Sequence, residues 1–183
     1  VDGPGPERGM VFQEYALFPW MTVAQNIAFG LEIKGQSKQQ IEKTVNDLLQ
    51  KLGLSDFRQR YPKDLSGGMR QRVAIARVLA LDSPILLMDE PFGALDAQTR
   101  LTMQELLLSV WQKLRTTVIF VTHDIDEAIL LADTIYVMSA RPGRIVADIK
   151  VPFPHPRGHD LRWTPEFATI AAQVSAALRQ GTP

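Results

Sequence analysis

The acidic pair Asp89-Glu90 closes the apolar run Ile85-Leu86-Leu87-Met88 and precedes Pro91. Two adjacent carboxyl groups at the end of a buried strand cost free energy unless a cation or a polar partner meets them. Successive strand side chains point to opposite faces, so the two acids have different tasks. One could hold Mg²⁺ through its water shell, and the other could polarise an attacking water. The plainer alternative is that Asp89 caps the next segment while Glu90 stays solvated. Thr122-His123 closes a second apolar run, Val118-Ile119-Phe120-Val121, and Gln13 closes a third that starts at Gly9. A lone histidine is more often structural than catalytic, yet at the end of a neighbouring strand His123 could hydrogen-bond a terminal phosphate near Asp89 and Glu90. Parallel sheets bind ligands just beyond the carboxyl ends of their strands. Gln, Asp-Glu and His at three such ends are therefore more specific together than any one of them alone.

A second kind of chemistry lies in Leu65-Ser66-Gly67-Gly68, followed at once by Met69-Arg70-Gln71-Arg72 and an apolar run. Ser66 can cap the helix that follows. Gly67 and Gly68 let another group come within contact of the backbone N–H groups. Free N–H groups and the positive end of a helix dipole make an anion site. A turn that merely starts a helix is the simpler account, weakened by the company this stretch keeps.

These residues need elements to position them. Residues 1–8 are rich in Pro and Gly and read as a loop, and Gly9–Gln13 reads as a short buried strand. Phe12, Tyr15, Phe18 and Trp20 then cluster around Pro19, which cannot sit inside a helix or a central strand. This aromatic loop is either pinned to the core by its rings or is a surface that docks a partner. Thr22 and Gln25 have capping-box spacing, with Val23, Ile27 and Leu31 on one helical face up to Gly35. Ser37 can cap a second helix striped by Ile41, Val45, Leu48, Leu49 and Leu52 and stopped by Gly53. Residues 22 to about 80 are thus helix-rich without a convincing strand.

Beyond residue 80 strands and helices alternate. Ile85–Met88 and Val118–Val121 read as strands buried on both faces. Between them a helix carries Met103, Leu106, Leu107, Val110, Trp111 and Leu114 on one face. Asp124 can cap a helix with Glu127 at the capping-box position, and Ile135–Met138 reads as a third strand. Arg141-Pro142-Gly143-Arg144 has type II turn chemistry and would return the chain antiparallel through Ile145–Val151. Thr164-Pro165-Glu166 starts a last helix with Phe167, Ile170, Ala171, Val174 and Leu178 inward. The strand–helix–strand order implies a parallel sheet with helices on its faces. Arg70, Arg72 and Arg77 are expected to form structural ion pairs. Pro156 and Gly158 break any metal-binding spacing between His155 and His159, and Arg157–Arg162 reads as a solvated linker or, less simply, a regulatory tail.

The 183 residues suffice for one domain, or one domain with an inserted subdomain, and contain 45% hydrophobic and 22% charged residues. Lys plus Arg balances Asp plus Glu at 20 each, which argues against a nucleic-acid partner. Without cysteine there is neither a disulfide nor a thiolate metal site. No apolar run approaches the ~20 residues of a membrane helix.

In their order, VFQEYALFPW, LSGGMRQRVAIAR, ILLMDEPFGALD and VTHD resemble the nucleotide-binding subunits of ABC transporters. LFPWMTV, HDIDEAILLAD and VMSARPGRIV further resemble the nitrate, sulfonate and taurine importers within that family. The resemblance implies an α/β fold: part of a P-loop NTPase (RecA-like) core with a mostly parallel sheet and an inserted α-helical subdomain. Residues 1–21 would end the N-terminal core. Residues 22–80 would form the helical subdomain, and residues 81–183 the C-terminal part of the core.

The resemblance also implies roles with ATP and Mg²⁺. Gln13 matches the Q-loop, sensing Mg²⁺ and the γ-phosphate; Asp89 supports Mg²⁺, and Glu90 is the general base for water. His123 matches the switch histidine. Ser66, Gly67, Gly68 and Gln71 belong to the signature motif that meets ATP held by a second subunit. Gly93-Ala94-Leu95-Asp96 matches the D-loop, in which Asp96 links the two sites. The implied partners are membrane permease subunits docked through Gln13–Thr22 and the helical region, a second ATP-binding subunit head to tail, and indirectly a solute-binding protein. The implied location is the cytoplasmic face of the cell membrane. The family's phosphate loop, G-x-x-x-x-G-K-[ST], does not occur in the sequence. The expectation is therefore the C-terminal part of a longer subunit, with weak ATP binding by these residues alone. Two other readings stand beside the importer: a non-catalytic fragment competent for interaction, and a soluble ABC-type ATPase outside transport.

Overall fold

The computed structural model describes residues 3, 5, 7–13, 15–93, 95–114 and 116–181. Part of the residue 1–8 loop, Glu14, Ala94, and the side chains of Val110 and Leu114 lie outside what is described. The chain forms two compact units, Val1–Val121 and Thr122–Pro183.

In the first unit three parallel strands, β1 (Arg8–Val11), β2 (Ile85–Asp89) and β3 (Thr117–Val121), lie in that spatial order. Their register pairs Val11 with Met88, and Asp89 with Val121. Parallel neighbours need a long crossover between them. The first crossover carries α1 (Val23–Ile33), α2 (Lys38–Lys51) and α3 (Gly67–Ala80), and the second carries α4 (Ala97–Leu114).

The starts of α1 and α2 follow from their caps. Thr22 accepts from Gln25 N while the Gln25 side chain accepts from Thr22 N, and Ser37 and Gln40 repeat the exchange. Gly53, at φ 63°, stops α2 in a conformation that costs glycine least. Helix α3 buries Val73, Ala74, Ile75, Val78 and Leu79, and packs on α1, α2 and β1. This places its N-terminus, Ser66-Gly67-Gly68, at a fixed point on the unit.

The second unit contains α5 (Ile125–Leu131), an antiparallel pair β4 (Thr134–Met138) and β5 (Ile145–Lys150), and α6 (Pro165–Gln180). Ile129, Ile135, Val137, Val151, Phe167, Ile170 and Val174 form its core. Helix α6 starts as its sequence predicts, with Thr164 capping Phe167 N and Pro165 at the first helical position.

Several expectations change. Strand β1 ends at Val11, so Gln13 stands two residues beyond it. Strand β3 is not buried on both faces: Ile119 is 56% and Val121 51% exposed while the alternating Val118 and Phe120 are half-buried, so one face of the strand is open. Strand β4 pairs with β5 in a separate two-stranded sheet, since strand–helix alternation gives direction but not adjacency. The turn at Arg141–Arg144 is not type II: Arg141-Pro142 is cis, and Gly143 lacks the positive φ that type II requires. Ser139 Oγ organises it instead, accepting from Arg144 N and donating to Pro142 O.

Candidate functional site

Strands β1 and β2 run side by side, so their carboxyl ends open at the same edge. There the Gln13 side-chain Nε2 donates to Glu90 Oε2 at 3.3 Å across 77 residues of sequence. Asp89 is the last residue of β2, and Glu90 N donates to Val121 O of β3 at 2.9 Å. Glu90 itself adopts φ 44°. For a side chain with a Cβ, the left-handed region costs about 1–2 kcal/mol. Such strain persists only where surrounding structure imposes it, and it clusters at functional sites. Here the imposing structure is the strand register before Glu90 and the turn after it. Gly93 N donates to Glu90 O, and Phe92 is buried against Phe120 of β3, ring centroids 5.5 Å apart. The result is a half-buried pair of carboxylates with a side-chain amide beside them.

At the start of α3, Ser66 Oγ accepts from Met69 N, as a capping serine should. Side chains of the same chain crowd both glycines. A Cβ on Gly67 would lie 3.3 Å from Tyr15 Oη, and one on Gly68 would lie 3.2 Å from Leu95 Cδ2. The signature turn is thus approached by the loop after Gln13 and by the loop before Asp96. Gln71 differs from its neighbours, being buried within α3 with no partner for Oε1 among the described residues. Asp96 caps α4, accepting from Thr99 N at 2.9 Å, and these bonds to Thr99 hold its carboxyl below the usual carboxylate range.

Among the described residues, the signature-helix arginines donate to main-chain carbonyls, not to carboxylates. Arg70 reaches Leu65 O, Arg72 reaches Leu52 O, and Arg77 reaches Ala16 O. Arg70 also lies over the Tyr15 ring and Arg77 over the Phe18 ring, so the helix grips the aromatic loop. Burial lowers the Arg77 pKa.

His123 follows β3 in sequence and is an exposed residue of the second unit. The chain around it is tightly held. Thr122 Oγ1 donates to Glu127 Oε2 at 2.8 Å and accepts from Asp124 N, while Asp124 Oδ1 accepts from Asp126 N and Glu127 N. The expected capping box therefore takes another form: Thr122, not Asp124 N, engages the Glu127 side chain.

The sequence reading missed two positions. Asn26 is fully buried on α1 with its amide satisfied: Nδ2 donates to Phe18, Met21 and Thr22 carbonyls, and Oδ1 accepts from Phe18 N. It pins the aromatic loop, whose Phe18 ring packs on Phe29, yet leaves Trp20 70% exposed. A polar residue on the inward stripe between Val23 and Ile27 was the available signal. The second is Arg157, buried beneath α5.

The sequence pattern of the ABC transporter family matches residues 4–93. The nitrate import ATP-binding protein of Synechocystis is 47% identical over 98% of this chain and 70% of its own length. The taurine import ATP-binding protein of Roseobacter denitrificans is 52% identical over 84% of this chain and 57% of its own length. The aliphatic sulfonates import ATP-binding protein of Bacillus licheniformis is 48% identical over 95% and 66%. Among solved structures, the dimeric post-hydrolysis state of an ATP-binding cassette bound to ADP and Pi superposes with TM-score 0.71 and 34% identity, over 80% of this chain and 64% of the cassette. The chain belongs to the ABC transporter family. Within it, the chain stands in the class of ATP-binding subunits with the α/β cassette fold.

Proposed function

We propose that the intact subunit hydrolyses ATP to drive import of a small anion or zwitterion of the nitrate, sulfonate and taurine class. The observation that carries the site is the Gln13–Glu90 hydrogen bond, which joins two strand ends distant in sequence beside Asp89. The solute class rests on the relatives' names. In this reading Glu90 takes the proton from the attacking water and Gln13 senses Mg²⁺ and the γ-phosphate. Ser66, Gly67 and Gly68 offer backbone N–H groups to ATP held by a second subunit, Gln71 supports their helix from within, and Asp96 links the two sites.

The donor set fits Mg²⁺, which takes oxygen ligands and is held through one or two carboxylates together with substrate phosphates. Asp89, with Gln13, would hold the ion, which when bound neutralises charge on the phosphates. His123 would hydrogen-bond the terminal phosphate.

Within this reading residues 22–80 are the helical subdomain, lying between the two parts of the core. The permease partner docks on it and on the aromatic loop. A cleft of about 450 Å³ between β1, α1 and α3 supports this, lined by Phe12, Phe18, Phe29 and Ile33 with Arg8 and Arg77. Exposed Trp20 on the same loop offers an aromatic anchor. No helix among the described residues is long and apolar enough to cross a membrane. In this reading the subunit sits at the cytoplasmic face of the membrane through its permease partner. A second reading rests on the lack of a Gly-Lys-Ser/Thr loop in the 183 residues: these residues alone are a non-catalytic, interaction-competent part.

The test is Glu90→Gln in the intact subunit. Turnover should fall by about 10²–10⁴-fold, as for loss of a general base, while ATP-dependent dimerisation persists. Undiminished hydrolysis would remove Glu90 from the mechanism.

A further inference from the structure

The Arg157 side chain is 1% exposed, although the sequence Arg157–Arg162 reads as a solvated linker. Its Nη1 donates to the carbonyls of Ile129 at 2.9 Å, Leu130 at 3.4 Å and Ala132 at 2.7 Å. These are the last carbonyls of α5 and the first beyond it, which have no partner within a helix. A cation there also meets the negative end of the helix dipole. Nε and Nη2 both donate to Phe153 O, at 3.0 and 2.8 Å, so the planar fork ties the segment after β5 to the end of α5. Asp133 Oδ1 faces the guanidinium at 3.6 Å and lies 3.1 Å from His155 Nε2. Burial lowers the Arg157 pKa while Asp133 opposes that shift.

Helix α5 has seven residues, about 10 Å of rise, too short to be stable without its ends being held. Its N-terminal end is held by the Thr122–Glu127 and Asp124 bonds described above, and His123 lies inside that knot. A shift at one end of so short a helix must move the other. We propose that Arg157 is a positioning residue for His123, acting through α5. Lysine in its place would keep the charge but could not bond both the α5 carbonyls and Phe153 O in one plane. The inference rests on the proposed role of His123 for its effect on turnover, but not for its effect on geometry.

In the intact subunit, His123 is assigned by loss of its imidazole NMR signal in His123→Ala. Arg157→Lys is expected to shift or broaden that signal, and to lower kcat roughly 10-fold with the KM for ATP little changed. Misplacement of a catalytic group by about 1 Å can cost up to ~10²-fold. In the His123→Ala background the same change should lower kcat no further. Asp133→Asn, a gentler perturbation on the exposed side of the guanidinium, should move the His123 signal less and in the same sense, which keeps the test open if Arg157→Lys folds poorly. An unmoved His123 signal in both variants overturns the proposal, as does an equal kcat loss from Arg157→Lys with and without His123. Normal turnover in His123→Ala instead overturns the catalytic reading of His123, and the NMR signal alone then decides whether Arg157 positions it.

Discussion

The ends of β2 and β3 look alike in sequence: four apolar residues, then a polar pair, Asp89-Glu90 or Thr122-His123. The structure holds them in opposite ways. After β2 the chain turns through a strained residue, Glu90 at φ 44°, fixed by a buried ring two positions on. After β3 the chain enters a helix through side-chain hydrogen bonds, with Thr122, Asp124 and Glu127 interlocked and no positive φ among them. One end is positioned by packing against strain, the other by polar capping. Packing can force a carboxylate into an unfavourable backbone geometry. Capping merely selects a favourable one.

The largest effect expected from this contrast is at Phe92. Its removal takes away the ring that packs on Phe120 behind Glu90. Phe92→Ala should cost about 3–5 kcal/mol, the range for a fully buried aromatic, measured by denaturant unfolding. A loss under about 1 kcal/mol would mean that the turn does not depend on packing. At the other strand end the corresponding change is Thr122→Val, which keeps shape but removes the hydroxyl shared by Glu127 and Asp124 N. Removing a hydrogen-bond partner from buried polar groups costs about 1–3 kcal/mol, and Glu127 is buried. Thr122→Val should therefore destabilise by that amount and speed amide exchange in α5. Unchanged exchange would show that capping does not fix this end.

The strain itself gives a prediction of opposite sign. Asparagine tolerates the left-handed region better than glutamate does. Glu90→Asn should stabilise the fold by about 1 kcal/mol while removing the proposed base. Stability gained at the expense of activity is the signature of strain held for function. Destabilisation by Glu90→Asn would mean that the Gln13 bond outweighs the backbone cost.

What the sequence made legible divides along the same line. Local capping was readable, because its partners lie within three residues: Thr22 with Gln25, Ser37 with Gln40, Ser66 before Met69, and Thr164 before Phe167. Parallel pairing of the strands ending near Gln13, Asp89 and His123 was readable from solid apolar runs, and it brought Gln13 to Glu90. Features set by distant partners were not readable. Arg157 binds carbonyls 25–28 residues away, and nothing in HPRGH signals that. The exposure of Ile119 and Val121 depends on whether a layer covers that face of the strand, which an apolar run cannot reveal. The φ of Glu90 is a property of the register on one side and Phe92 on the other, so no residue-type rule predicts it.

The smallest effect lies just beyond the strained turn, where Asp96 restores capping at the start of α4. Its carboxylate accepts from Thr99, and those bonds lower its pKa. A carboxyl group with a pKa lower in the folded chain than in the unfolded one stabilises the fold above its unfolded pKa, where it is ionised in both states. That contribution is lost as the pH falls through the folded value. The loss should thus appear only on the acid side, below the usual carboxylate range, and leave neutral pH untouched. Carbon-detected NMR titration should find Asp96 protonating at a lower pH than a solvated aspartate, and Asp96→Asn should flatten this acid-side decline because the contribution is then missing at neutral pH as well. If Asp96 instead protonates with ordinary solvated carboxylates, the cap is not held in solution. The turn after β2 would then be held by the strand register, the Gly93 N–Glu90 O bond and Phe92 without a side-chain cap beyond it, and the contrast with the polar-capped end of β3 would be sharper still.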